Sequence, residues 1–306
     1  MSWGENPGSK LPGRWEGGDG GRGGDGGGDV GSARGQGRVI FEGKSEFNDR
    51  IIVREDEKGI RRLLFAENAP AQTVMDMREP ERLVGAYSRV IMVSLGVVER
   101  PRRMLVVGLG GGAMPMFLRR NCPEAEIDIA ELDPGVVEAA KGYFGFKEDE
   151  RMKVFVGDGR KFIETVEKKY DIIYLDAFGA DSMPRALATK EFMEAVKGRL
   201  SEGGVVASNV WASGSGKLYA SMVRTYEAVF GELHIIRVPL SESRIHLAFA
   251  KGVGLSKAGL MERVGGVEGR LRPRLALRFL VESGYVEVGR VKGGEVLRDG
   301  EGEIGK

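Results

Sequence analysis

The chain has 306 residues, 42% hydrophobic and 30% charged, the profile of a folded, water-soluble protein rather than a disordered or membrane-embedded one. Its 46 basic and 45 acidic residues leave a net charge of +1, which gives no electrostatic footprint for nucleic acid or for a membrane surface. A single cysteine, Cys122, excludes an internal disulfide, and with only His234 and His246 beside it no metal site is expected.

Residues 1–38 are dominated by glycine with alternating Arg and Asp, a composition that cannot bury enough apolar surface to order itself, and a disordered tail is expected. Residues 39–78 form a small β-domain in this reading, with short strands at Val39–Phe41, Ile51–Val53 and Leu63–Phe65 between charged or glycine-containing turns. Leu83, Val84, Tyr87, Ile91 and Leu95 recur at helical spacing and predict a helix over Pro80–Val98. From Met104 strand and helix alternate. Strands are expected at 104–107, 126–132, 153–156, 171–175 and 205–209, and helices at 114–120, 134–143, 160–167, 189–200 and 217–230. Such alternation means parallel strands joined by right-handed crossovers. His234–Val238 and Ile245–Ala250 follow each other too closely for a crossover and should pair antiparallel. The expectation is therefore a Rossmann-like domain over 79–250. Residues 251–306 form an extension of unassigned role, with a basic amphipathic helix at Leu271–Val281 and a strand near Tyr285–Val291. No apolar run reaches the roughly 18 residues of a membrane span, and the N-terminus has no hydrophobic signal core, so cytoplasm is the expected compartment.

Candidate chemistry sits where strands end, since open α/β sheets bind ligands at the carboxyl ends of their strands. After the first strand, Gly108, Gly110, Gly111 and Gly112 crowd into five residues and open a helix. This is a turn that lets a ligand approach bare backbone beneath a helix N-terminus. Alone, that pattern also fits a nicotinamide dehydrogenase or an ordinary strand–helix turn. After the second strand stand Glu131 and Asp133; Asp133 suits a helix cap before Pro134, which leaves Glu131 for a ribose. Asp158 and Gly159 end the third strand, where the carboxylate can accept from an adenine amino group or cap the next helix. Asp176 emerges from the buried run Ile-Ile-Tyr-Leu, and a carboxylate there is a functional candidate. Asp181 and Pro184 mark a lid loop, and Trp211, closing the fifth strand, is a candidate pocket wall.

Taken together, Val-Val-Gly-Leu-Gly-Gly-Gly, Ala-Glu-Leu-Asp-Pro-Gly-Val-Val-Glu, Val-Gly-Asp-Gly-Arg-Lys-Phe and Tyr-Asp-Ile-Ile-Tyr-Leu-Asp-Ala-Phe resemble the spermidine synthase (polyamine aminopropyltransferase) family, from about Ser45 to Ala250. The resemblance implies an α/β, class I methyltransferase-like fold, with a mainly parallel sheet ending in an antiparallel strand pair and preceded by a small N-terminal β-domain. It also implies S-adenosylmethionine or its decarboxylated form as co-substrate, a small-molecule amine or polyamine as acceptor, and a homo-oligomer, dimer or tetramer. By residue, it implies that Gly108, Gly110, Gly112, Glu131, Asp158, Gly159 and Asn48 bind the donor. Asp176 would take the amine proton, with Tyr87, Asp181 and Trp211 on the acceptor and lid side.

The chain departs from that pattern in several places. The family's glycine turn carries an aspartate where this chain has Gly111, its Tyr-His-Glu stands here as Tyr87-Ser88-Arg89, and its Tyr-Gln-Asp as Phe47-Asn48-Asp49. The Asp-Ala-Phe-x-x-Asp-x-x-Pro lid is similar to a divergent spermidine synthase-like branch, some of whose members resemble methyltransferases. Glycine at 111 removes a charge that would repel a donor carboxylate, so intact S-adenosylmethionine is expected to fit against the turn's N–H groups. Aminopropyl transfer, methyl transfer and a non-catalytic sensor of nucleotide or polyamine all remain open at this point.

Overall fold

The computed structural model describes residues 37–177, 184–212 and 217–300. The expected glycine-rich tail, up to residue 36, and the lid residue Asp181 lie outside the described residues. Four short strands, β1 (Arg38–Gly43), β2 (Ile51–Glu55), β3 (Ile60–Leu64) and β4 (Thr73–Asp76), make an antiparallel sheet in chain order. The sequence pattern marks only three of them. Thr-Val-Met-Asp is too short and too polar at its ends to stand out, and it is held by pairing with β3.

The helix expected over Pro80–Val98 is shorter and broken. It comprises α1 (Ala86–Val90), a 3-10 turn at Ile91–Val93 and α2 (Ser94–Val97). Leu83 is drawn into an isolated bridge with Met75, and Gly85 is extended (φ −60°, ψ 136°), so the apolar spacing upstream of Ala86 serves core packing instead of a helix.

The main sheet contains β5 (Arg103–Val107), β6 (Glu126–Glu131), β7 (Met152–Val156), β8 (Tyr170–Leu175), β9 (Leu200–Trp211), β10 (Glu232–Arg237), β11 (Ser243–Phe249) and the two-residue β12 (Tyr285–Val286). Their order is β12-β10-β11-β9-β8-β5-β6-β7. β5 to β9 pair in parallel, while β11 inserts antiparallel between β9 and β10, giving the mainly parallel sheet with a closing antiparallel pair. Helices α3 (Ala113–Asn121), α4 (Pro134–Tyr143), α5 (Gly159–Thr165), α6 (Lys190–Gly198) and α7 (Lys217–Val229) are the crossovers. The strands read as continuous apolar runs because both faces are covered; Leu105, Val106, Ile172 and Ile173 are all fully buried.

Residues past 250 contribute to the same core. Helix α8 (Lys257–Glu268) packs on α2, and α9 (Leu277–Gly284) packs on α8, burying Leu260, Val264, Val267, Leu277 and Val281. The pattern had not suggested α8, because Gly259, Gly265 and Gly266 dilute its apolar stripe. The helix expected from Leu271 begins only at Leu277, after Pro273, which has no N–H to give and disfavours helical backbone before it. The strand expected at Tyr285–Val291 shrinks to β12, followed by a 3-10 turn. No described helix is long and apolar enough to cross a membrane.

Gly96 marks how tightly the C-terminal helices dock. A Cβ there would lie 2.5 Å from Val264 Cγ1 and 2.7 Å from Val264 Cα. Because the second contact is with backbone, trimming the valine cannot relieve it. Gly96→Ala is expected to cost about 1–3 kcal/mol in denaturant unfolding, and the loss should persist when Val264→Ala is added.

Candidate active site

The carboxyl ends of β5, β6, β7, β8 and β9 open into one hollow of about 420 Å³, within the size range of small-molecule sites. It is lined by Gly108 and Gly110 from the glycine turn, Glu131, Asp158, Gly159, Asp176, Asn48, Tyr87 and Trp211. Gly112 lies behind the turn, capping α3 in the left-handed region at φ +82°. At Gly108 (φ +98°) a Cβ would sit 2.4 Å from the Asp176 carbonyl oxygen, so the β5 and β8 tips can close together only over glycine.

Glu131 is 9% exposed and its carboxylate ties the strand tips together. One oxygen accepts the Leu109 N–H at 2.8 Å and the other the Asp133 N–H at 2.9 Å. Burial raises its pKa, while these bonds and one from the Gly110 N–H hold it down. A carboxylate offers about four acceptor sites, so part of its capacity remains for ligand hydroxyls at the hollow. Asp133 takes the capping role, accepting the Gly135 N–H at 2.7 Å. Its other oxygen accepts Ser45 Oγ and Asn48 Nδ2, each at 2.6 Å, which anchors the N-terminal sheet to β6. Asn48 thus reaches the hollow while held by Asp133. Asp158 caps α5 through one oxygen, which accepts the Arg160 and Lys161 N–H groups, and the exposed carboxylate also borders the hollow.

Asp176 stands just past the end of β8. Asn209 Nδ2 donates to Asp176 Oδ1 at 3.1 Å, and the Tyr87 hydroxyl stands beside the same carboxylate. Burial pushes the Asp176 pKa up to about 7, against the opposing pull of Asn209 and Tyr87. Burial and the Asp176 charge raise the Tyr87 phenol well above its ordinary value. Asn209 was not among the residues singled out from sequence, although an amide at the tip of a buried apolar strand was a readable signal. Its Oδ1 and the Trp211 indole N–H are both buried and have no hydrogen-bond partner among the described residues. Thr73 and Gln72, from the N-terminal sheet and its approach, were missed as well because nothing local in the sequence ties them to the glycine turn.

The geometry at Gly111 corrects one expectation. The N–H groups of the turn are already engaged: Gly108 with Ala130, Leu109 and Gly110 with Glu131, Gly111 with Thr73 Oγ1 at 2.8 Å, and Gly112 with Leu109. A donor carboxylate would find no free backbone N–H there. A Cβ at 111 would lie 2.9 Å from both Phe144 Cδ1 and Thr73 Cγ2, so these neighbours fill the space an aspartate would need. Among the described residues no group of His, Cys, Asp or Glu is arranged to hold a metal ion.

A mainly parallel sheet with an inserted antiparallel strand, a glycine turn over its first strand and acids at the next three strand tips define a transferase of the methyltransferase-like class. Comparison with known proteins carries this further. The spermine/spermidine synthase domain model matches residues 85–232. A polyamine aminopropyltransferase of Vibrio vulnificus is 32% identical over 246 residues, covering 78% of this chain and 81% of that protein. The eEF1A lysine and N-terminal methyltransferase of Bos taurus is 35% identical over 153 residues, which cover 46% of this chain and only 22% of that protein. Among solved structures, human methyltransferase-like protein 13 in complex with SAH matches with a TM-score of 0.54 and 29% identity, covering 61% of this chain and 89% of that one. The chain belongs to the spermine/spermidine synthase family and is a transferase.

The raised Asp176 pKa makes a prediction independent of substrate. A carboxyl group whose folded pKa, about 7, exceeds its ordinary value of 3.8 destabilises the fold as pH rises through that interval, because the folded state holds the proton more tightly. Asp176→Asn, which mimics the protonated acid, should therefore match the wild-type melting midpoint near pH 4 and exceed it at pH 8.

Proposed function

We propose that this protein transfers an alkyl group from an adenosyl sulfonium donor to an amine, with Asp176 as the general base. The observation that carries the reading is the shared hollow: the glycine turn, Glu131 and Asp158 face it on one side and Asp176 with Asn209 on the other. In this reading the ribose hydroxyls bond Glu131, the adenine amino group meets Asp158, and Gly108 and Gly110 let the donor lie close to backbone. The amine nitrogen attacks the carbon bonded to sulfur; the C–N bond forms, the C–S bond breaks, and the electron pair leaves on the now neutral thioether. Asp176 holds the incoming ammonium and accepts the proton released from nitrogen. Free alkylamines titrate near 10, so a poised acceptor is required.

The charge of the hollow favours decarboxylated S-adenosylmethionine, hence aminopropyl transfer. The charged residues among its described lining are Glu131, Asp133, Asp158 and Asp176, with no Lys or Arg. An intact methionine carboxylate would face like charges and an engaged glycine turn, whereas an aminopropyl ammonium and a cationic acceptor meet complementary ones. The methyltransferase similarity supports a second reading, methyl transfer to a protein-borne amine. Thermal-shift titration with the two donors, followed by mass analysis of products from a linear diamine and from a peptide amine, separates them. The expected outcome is a larger shift with the decarboxylated donor and a diamine product heavier by one aminopropyl group. A larger shift with intact S-adenosylmethionine and a methylated peptide would favour the second reading, and no product from any amine would count against both.

The base should also be visible in kinetics. The free-enzyme kcat/KM is expected to rise with pH through an inflection near 7, the pKa of Asp176, as the carboxylate ionises. In Asp176→Asn the residual rate should be at least ~100-fold lower and lack that inflection.

A further inference from the structure

The C-terminal end of the chain runs back to the rim of the hollow. From Val291 to Gly300 it forms no helix or strand, yet it is pinned at successive points. The Glu295 N–H donates to Ser221 Oγ at 3.1 Å and the Leu297 N–H to Thr225 Oγ1 at 2.9 Å, both on α7. Leu297 is 2% exposed and its carbonyl accepts the Lys190 N–H at the start of α6. At Gly294 (φ +82°) a Cβ would lie 2.3 Å from the Ala220 carbonyl carbon, a close approach that needs glycine. The strap then delivers Asp299. Its N–H donates to Glu191 at 3.0 Å, and its carboxylate pairs with both terminal nitrogens of Arg160, one of them at 2.8 Å.

Arg160 follows Asp158 and Gly159 in the first turn of α5. The guanidinium nitrogen that meets Asp299 also donates to the Ala186 carbonyl at 3.1 Å and to Thr189 Oγ1 at 3.4 Å. Asp158 and Gly159 border the hollow from one chain segment, and Pro184, Ala186 and Leu187 from another. One guanidinium therefore bridges two segments of the wall, and Asp299 orients it with a two-pronged grip of the kind that fixes an arginine's plane.

We propose that Asp299 is a positioning residue for the donor subsite: through Arg160 it sets the spacing between the Asp158–Gly159 tip and the 184–187 segment. This inference rests on reading the hollow as the adenosyl donor's site. The pair is well placed to act on binding more than on stability. The Arg160 and Asp299 side chains retain 19% and 41% of their exposure, and a partly exposed pair adds little to folding. The strap's attachment comes chiefly from buried Leu297 and from backbone hydrogen bonds.

The test uses the full-length protein and S-adenosylhomocysteine and methylthioadenosine as probes, with binding measured by calorimetry. Asp299→Ala is expected to weaken probe binding and raise the donor KM by about fivefold, the scale on which residues act through a neighbour. It should change kcat, the acceptor KM and the melting midpoint little. Asp299→Glu should recover most of the loss, and Arg298→Ala, which removes an ion pair to the other oxygen of Glu191 but leaves the Asp299–Arg160 pair, should bind as wild type. Wild-type affinity in Asp299→Ala would overturn the proposal. So would a loss in which both KM values rise while kcat and the melting midpoint fall, since that is the mark of a structural staple. If the wild-type protein bound neither probe, the donor-site reading itself would fail, a result distinct from a wild type that binds and a variant that binds equally well.

Discussion

The buried carboxylate of Glu131 is the constraint on which the site depends. β5 and β6 end side by side, and the chain leaving each must turn sharply while its backbone N–H groups lose their ladder partners. Glu131 accepts from Leu109 on one turn and from Asp133 on the other, so a single side chain satisfies both. An uncompensated carboxylate in that position would be costly, and an unpaired buried N–H costs about 1–3 kcal/mol. Each problem is the other's remedy. The same bonds leave the carboxylate at the hollow with acceptor capacity to spare, so the proposed ribose contact would draw on the group that also ties the strand tips together.

Asp176 sits under the opposite regime. Among the described residues no backbone N–H supports its carboxylate; Asn209 and Tyr87 provide partial compensation, and burial outweighs them. Two acids at the strand tips on either side of β5 thus differ in character because of what surrounds them. Glu131 is held by backbone and acts as a fixed acceptor, while Asp176 is poised to exchange a proton near neutrality.

Much of this was legible in the sequence because it follows from local rules. Alternating apolar runs and amphipathic segments gave the sheet and its crossovers, and acids just past apolar strands marked Glu131, Asp158 and Asp176. What the sequence obscured depends on distant partners. Leu83 has helical spacing but is claimed by a bridge to Met75. α8 is diluted by three glycines and forms because Val264 packs directly onto Gly96. Gly111 reads as an opening for a ligand until Thr73 and Phe144, 38 residues upstream in one case, are seen to occupy the space and the N–H. Arg160 reads as an ordinary helix residue until Asp299 arrives from 139 residues away.

These long-range contacts share a form. Ser45 and Asn48 bind Asp133, Thr73 binds the Gly111 N–H, and Asp299 binds Arg160. Each brings a side chain from outside the parallel strands to a polar group at their carboxyl ends. The price is that the glycine turn keeps no spare N–H, and so cannot act as the general anion cradle that such turns form when open. Discrimination between ligands must then pass to side chains, and those charged among the described lining are all acids. In the proposed reaction the ammonium gives its proton to Asp176 and the sulfonium charge passes to the attacking nitrogen, so an acidic hollow faces one cationic centre before and after transfer.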